Sequence, residues 1–209
     1  MKKQLFFLMA IASVMITSCQ SKTNEQPTTE QVVVDNIMAR RSVRQYKQEP
    51  VKREQMETIV KCGINAPNAM NKQAWEVRVL DNKADIDSIS KIYLAANPRY
   101  AAESTFRNMF RNAPTVAFLA APANPNFMEV INIGLMAENM MLAAQSMGIG
   151  TCCLGGPVYF LNDNPDAKFF INKLNFSADY QLVLVLAFGY PDENPGAKPR
   201  DESKVIFID

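Results

Sequence analysis

The chain has 209 residues, 48% of them hydrophobic and 21% charged, with 22 basic against 21 acidic side chains and a formal net charge of +1. A balance so close to zero argues against the broad basic face by which proteins hold nucleic acid. The complete lack of histidine excludes Ser-His-Asp and Cys-His catalysis, imidazole general bases and His-ligated metals. No CxxC spacing or disulfide framework occurs among the cysteines.

The chain opens with a positive "MKKQ", the apolar run "LFFLMAIASVMI" and the closing "ITSC". This run has signal-peptide length and is short for a bilayer span. An ordinary secretory site asks for a small residue three places before the cut, where Ile16 stands; the pattern instead resembles the lipobox of bacterial lipoproteins. That resemblance implies a signal peptide over residues 1–18, acylation of Cys19, and a protein anchored to a membrane of the cell envelope outside the cytoplasm. The polar "QSKTNEQPTTEQ" lacks periodicity, so residues 19–31 are expected to be a flexible tether and residues 32–209 a single domain.

In "QVVVDNIMAR", Val34, Ile37 and Met38 fall at helical spacing. "RRSVR" follows, with three arginines in five positions. Those cations suit either of two tasks: complementing the end of the helix dipole, or gripping a compact anion. Met56, Ile59 and Val60 mark a second helix that Gly63 and the polar "APNAMNKQ" should stop. "WEVRVL" alternates as a half-exposed strand, and Ile86, Ile89, Ile92 and Tyr93 mark a third helix. The SxxK spacing of "SISK" on that helix lacks its companion motifs and reads as coincidence.

Residues 99–112 are charged and aromatic, and Pro114 introduces the strand "TVAFLA". Residues 129–147 are apolar nearly all round, a helix expected to be buried on most faces and to lie at a subunit interface. "GTCCLGGP" reads as a loop whose Gly155 and Gly156 offer bare backbone. It is no dinucleotide fingerprint, because Cys153 stands where a third glycine belongs. "QLVLVLAFGY" has the continuous apolar run of a central strand, and "PDENPGAKPRDE" is a loop bearing Lys198 and Arg200. "SKVIFID" reads as a short strand or an extended arm. Helices and strands intermix without repeats, which gives an α+β or mixed α/β class.

The loops "RRSVR", "APNAMNKQAW" and "GAKPR" together hold guanidinium forks, an ammonium, a hydroxyl and side-chain amides. Such a set suits a phosphate joined to a polyol and a heterocycle. In the order "RRSVRQY", "APNAMNKQAWEVRVL", "NIGLMAENMMLAAQSMGIGTCCLGGP" and "LAFGYPDENPGAKPR", the chain resembles the nitroreductase family of flavin-dependent oxidoreductases.

The resemblance implies an α+β fold with a mixed sheet flanked by helices, and an intertwined homodimer with FMN at its interface. It implies that Arg40, Arg41, Ser42 and Arg44 contact the FMN phosphate and ribityl chain, and that Lys198 and Arg200 close on the same phosphate. Asn68, Asn71 and Gln73 would contact the flavin from the partner subunit, while Leu154, Gly155 and Gly156 would line the ring edge near N5.

The implied activity is a ping-pong, two-electron oxidoreduction by hydride transfer through flavin N5. The donor is NADH, NADPH or another donor of the envelope, and the acceptor is electron-poor, a nitroaromatic or quinone-like compound. No side chain is singled out as catalytic and no metal is expected. Cys152 and Cys153 read as small hydrophobes rather than redox groups. Because NAD(P)H is a cytoplasmic metabolite and the leader points outward, an envelope-tethered flavin-binding protein without NAD(P)H turnover is the second reading. Residues 97–112 are expected to select the substrate.

Overall fold

The computed structural model describes residues 26–208; the signal-peptide, Cys19 and most of the tether expectations lie outside them. Helix α1 (Thr29–Ala39) begins inside the expected tether, because the Thr28 hydroxyl accepts a hydrogen bond from the Gln31 N–H at 3.1 Å and caps it. The other elements are α2 (Arg53–Ile64), β1 (Glu76–Leu80), α3 (Lys83–Ala96), β2 (Thr115–Pro122), α4 (Phe127–Ser146), β3 (Gly150–Leu154), α5 (Gly156–Asp163), α6 (Lys168–Leu174) and β4 (Tyr180–Gly189).

The strands form one sheet in the order β1-β2-β4-β3, antiparallel at every pairing. Parallel character is confined to an isolated bridge between Ser42 and Thr151, so the mixed sheet implied by the resemblance takes a mostly antiparallel form. Alternation divides the central strands between two cores. Val116 and Phe118 of β2, with Val185 and Ala187 of β4, pack beneath Ile86, Ile89, Leu161 and Phe170. Ala117, Leu119, Leu186 and Phe188 face Ile59, Met136 and Met140 on the opposite side. Covering on both faces is why β2 and β4 read as continuous apolar runs.

Helix α4 is stapled at its start by a capping box between Asn126 and Glu129. It buries Ile133, Met136, Ala137, Met140 and Ala144. Contrary to expectation, it is not buried on most faces within one chain, since Phe127, Met128, Val130 and Leu135 stay exposed. None of the residues of α1 is buried; this helix is attached to α4 by the Asn36 amide, which donates to Leu142 O at 3.0 Å, and by an Arg40–Glu138 pair at 3.6 Å. Residues 205–208 are an exposed arm rather than a strand.

Gly63 stands one residue before the end of α2, which stops at Ile64 ahead of the polar loop as expected. It is buried within the helix, and a Cβ there would lie 2.5 Å from Met140 Cγ, so the residue permits close α2–α4 packing.

Candidate functional site

Residues 42–47 run along the edge of the sheet as a strap. Val43 N–H donates to Thr151 O, Lys47 N–H to Tyr190 O and Asp192 N–H to Gln45 O, each at 2.9 Å. Two bare positions let the strap seat. A Cβ on Gly150 would lie 2.9 Å from Val43 Cβ, and one on Gly189 would lie 2.8 Å from the Tyr46 ring.

Val43 and Tyr46 turn into the core, and the buried Tyr46 phenol donates to Val43 O. Burial, with the nearby Cys152 and Glu193, pushes that phenol well above its ordinary range, so it stays a neutral structural donor. With these two side chains inward, Arg44 projects outward; its N–H donates to the Glu193 carboxylate and its guanidinium to Ser42 O at 3.1 Å. The Arg41 guanidinium donates to Met38 O at 2.6 Å and Arg40 O at 2.8 Å.

The segment "GTCCLGGP", expected as a loop, is instead strand β3 leading directly into α5. Its residues pair in register with β4, Gly150 opposite Gly189 and Leu154 opposite Val185, and this pairing overrides their weak strand propensity. Cys152 is buried and Cys153 exposed, as alternation on a strand requires. Burial raises the Cys152 thiol; Arg44, Arg111 and Arg40 oppose it, and Glu193 adds to it. Burial also raises the Cys153 thiol, whose sulfur lies 3.6 Å from Met141 Sδ. Neither cysteine has the lowered pKa of a redox nucleophile.

Strap, strand end and helix start enclose a cleft of about 660 Å³. Of the expected residues, Arg44, Leu154, Gly155 and Gly156 line it. A Cβ on either glycine would meet nothing within 4 Å, so bare backbone faces open space there. Arg40 and Arg41 precede the strap, Arg40 paired with Glu138 of α4, and Ser42 begins it; none of the three lines the cleft.

Asn68, Asn71 and Gln73 do not line it. They belong to a strained turn in which Met70, Asn71 and Gln73 have φ of 55°, 50° and 49°. Asn68 Oδ1 accepts from Gln73 N–H at 2.8 Å, and the buried Asn132 of α4 accepts from Ala69 N–H at 3.2 Å. Lys198 and Arg200 also lie off the cleft, on an exposed segment where Arg200 donates to Lys198 O at 3.0 Å. One chain therefore brings Arg44 and the glycine backbone to the cleft, but not Arg40, Arg41, Lys198, Arg200 or the amide turn.

Tyr93, expected only as part of a helical stripe, forms another wall of the cleft with Tyr100, Phe106, Arg107 and Arg111, which were not expected individually. The interleaved aromatics and arginines of residues 99–112 were the signal available for them.

A sequence model described as the Nitroreductase family matches residues 37–190. The NADPH-flavin oxidoreductase of Vibrio harveyi is 27% identical over 180 residues, which cover 83% of this chain and 71% of that protein. The FMN reductase (NADPH) of Bacillus subtilis (strain 168) is 24% identical over 187 residues, covering 83% and 72% respectively. A crystal structure of a nitroreductase with bound FMN from Bacteroides fragilis NCTC 9343 matches with a TM-score of 0.75 at 21% identity, covering 85% of this chain and 98% of that one. At that identity the likeness establishes the α+β fold.

Proposed function

The chain belongs to the nitroreductase family, and from that premise we propose that it is an FMN-dependent oxidoreductase drawing on NADH or NADPH. The observation that carries the reading is that Arg44, on the strap seated against β3, lines one cleft with the bare backbone of Gly155 and Gly156. The donor set fits FMN. Forked guanidiniums match a phosphate of roughly −2 charge, and side-chain-free backbone beside open space suits a flat ring.

Arg40, Arg41, Ser42 and Arg44 would hold the phosphate and ribityl chain, and Lys198 and Arg200 would close over them. Leu154, Gly155 and Gly156 would meet the ring. When bound, FMN supplies two-electron hydride chemistry, and the protein's share is to position the ring, exclude competing partners and present the acceptor. Strap residues Val43 and Tyr46 do the positioning, since both are locked into the core behind the arginines.

The reading includes a homodimer in which Asn68, Asn71 and Gln73 reach the flavin of the partner subunit. It is supported by the apolar faces that α1, α4 and residues 205–208 leave exposed. An electron-poor acceptor, nitroaromatic or quinone-like, completes the cycle. Acylation at Cys19 would hold the enzyme in the cell envelope outside the cytoplasm, a reading supported by the lipobox-like "ITSC".

The test is an absorbance spectrum of the chain after FMN loading and desalting, followed by anaerobic titration with NADH and NADPH. Retained flavin bands that bleach with either donor are expected. A folded protein that retains no flavin would overturn the reading, and a bound flavin inert to both donors would mark a flavin-binding protein instead.

A further inference from the structure

Residues 97–112, between α3 and β2, contain a short 3-10 turn (Pro98–Ala102) and otherwise no regular element, yet they are densely cross-bonded. Asn112 Oδ1 accepts from the N–H groups of Arg107 at 2.7 Å and Asn108 at 3.0 Å, and its amide donates to Thr105 O at 2.8 Å. The Asn108 amide donates to Ala113 O at 3.1 Å, and Met109 N–H donates to the buried Ser90 hydroxyl at 3.1 Å. Arg111 and Asn112 are both left-handed, with φ of 57° and 63°. Two consecutive non-glycine residues in that region persist only where surrounding bonds over-determine them. The side chains of this segment therefore leave a fixed scaffold.

That scaffold holds Tyr100 and Phe106 against Tyr93 of α3 as a stacked cluster in the cleft lining, with the Arg99 guanidinium over the Tyr100 ring at 4.8 Å. Tyr93 stacks on Tyr100 with ring centroids 5.5 Å apart and on Phe106 at 6.4 Å, Tyr100 stacks on Phe106 at 5.9 Å, and Phe160 meets Tyr93 edge-on at 5.0 Å. Arg107 and Arg111 stand in the same lining. Glu103, Asp192 and Glu193 line it too; Glu193 accepts from the Arg44 N–H, and no carboxylate among the described residues pairs with the guanidinium of Arg107 or Arg111. The charge of Arg111 is felt by the Tyr93 and Tyr100 phenols and by the Cys152 thiol. Arg111 lines the same cleft as those rings and as Leu154 at the end of β3.

Resting on the oxidoreductase reading, we propose that this cluster selects planar aromatic acceptors carrying a carboxylate, with the ring packed on the side of the Tyr93, Tyr100 and Phe106 cluster that lines the cleft and the carboxylate on the Arg111 fork. Offset ring stacking contributes beyond simple burial. A guanidinium free of an acidic partner gives a charge-assisted, bidentate bond that a neutral isostere cannot match.

The test compares 4-nitrobenzoate with the neutral, nearly isosteric 4-nitrobenzamide on the FMN-loaded full chain in detergent. Affinities are measured by titration calorimetry, and kcat and KM by NADPH-driven turnover. The carboxylate should bind roughly tenfold tighter or better, as one charge-assisted bond implies. Arg111→Gln should bring that ratio near one, through the carboxylate's affinity and KM rather than kcat, and Arg111→Lys should keep part of it. Arg111 is exposed, so both variants should fold.

A ratio near one in the unmodified protein, or a ratio unchanged by Arg111→Gln, would overturn the proposal. So would a loss that falls on the KM for NADPH instead. Failure of the parent reading is separable: it would appear as flavin not retained or not reduced, while the calorimetric ratio still reports the preference of the cleft.

Discussion

The strap depends on the missing side chain of Gly150, so Gly150→Ala tests whether its seating sets flavin affinity. A Cβ there would lie 2.9 Å from Val43 Cβ and Cγ2 and 3.0 Å from Cγ1, against roughly 3.5–4.0 Å for relaxed carbon contacts. The neighbour is the branched stem of a buried side chain, and it cannot rotate away. The strap must retreat by roughly 0.5–1 Å to restore ordinary contacts. That retreat strains the 2.9 Å bond from Val43 N–H to Thr151 O.

Overpacking of this kind costs about 1–3 kcal/mol. Only one edge of the sheet is affected, so the cost should fall mainly on the geometry of Arg44 and its neighbours. At about 2 kcal/mol it corresponds to roughly a 30-fold weaker FMN affinity, with a smaller fall in melting temperature. Fluorescence titration of FMN and a thermal melt measure the two quantities. Adding Val43→Ala removes two of the three contacts and should recover part of the affinity. An alanine variant that binds FMN within about twofold of the original and melts at the same temperature would refute the reasoning.

Three further outcomes are expected. Arg44→Ala and Arg200→Ala should each weaken FMN binding by roughly 10- to 100-fold, the worth of one charge-assisted contact, with a loss that shrinks at high salt; calorimetry in two salt concentrations checks both. Because burial raises the Cys153 thiol, its thiolate fraction at pH 8 should lie below that of free cysteine, so alkylation should be slow there and accelerate as pH rises past the ordinary thiol value of about 8.5. Bound FMN should slow it further, as peptide mass spectrometry can show. On the lipoprotein reading, Cys19→Ser should abolish acylation and leave the leader uncleaved, seen by mass spectrometry as loss of the acylated N-terminal peptide and appearance of the full-length chain.

Elements with strong periodicity were legible in the sequence: α2, α3 and α4 from apolar residues at helical spacing, β1 from alternation, and β2 and β4 from uninterrupted apolar runs. Helices α5 and α6 carry no such signal. At 8 and 7 residues they are too short to be stable alone, and Leu161, Phe170 and Leu174 hold them by packing on the sheet. Strand β3 reads as a loop because glycine, threonine and cysteine with flanking glycines carry turn chemistry, and its extended form comes from register with β4. Gly63 marks the end of α2 to within one residue, but its close approach to Met140 could not be read from the pattern. These are all non-local effects, which a one-dimensional pattern does not contain.

The site divides along the same line. Arg44, Gly155 and Gly156, which line the cleft, were legible because each lies in a short stretch of unusual composition. The aromatic wall was not, since its shape is written in hydrogen bonds from Asn108 and Asn112 to distant backbone. Asn68, Asn71 and Gln73, expected to contact the flavin from the partner subunit, do not line the cleft of their own chain, which bears directly on the proposed dimer.

Val33 of α1, Phe127 of α4 and Phe207 of the arm are 53%, 79% and 89% exposed, and each buried Å² of such surface is worth about 25 cal/mol. A second copy covering these faces would gain that energy. If the same contact carried the amide turn to the partner's strap, the burial that drives association would also complete the flavin site. On this reading dimerisation and cofactor binding are thermodynamically linked, so each should tighten the other by the same factor. The apparent FMN affinity should then rise with protein concentration until the dimer saturates.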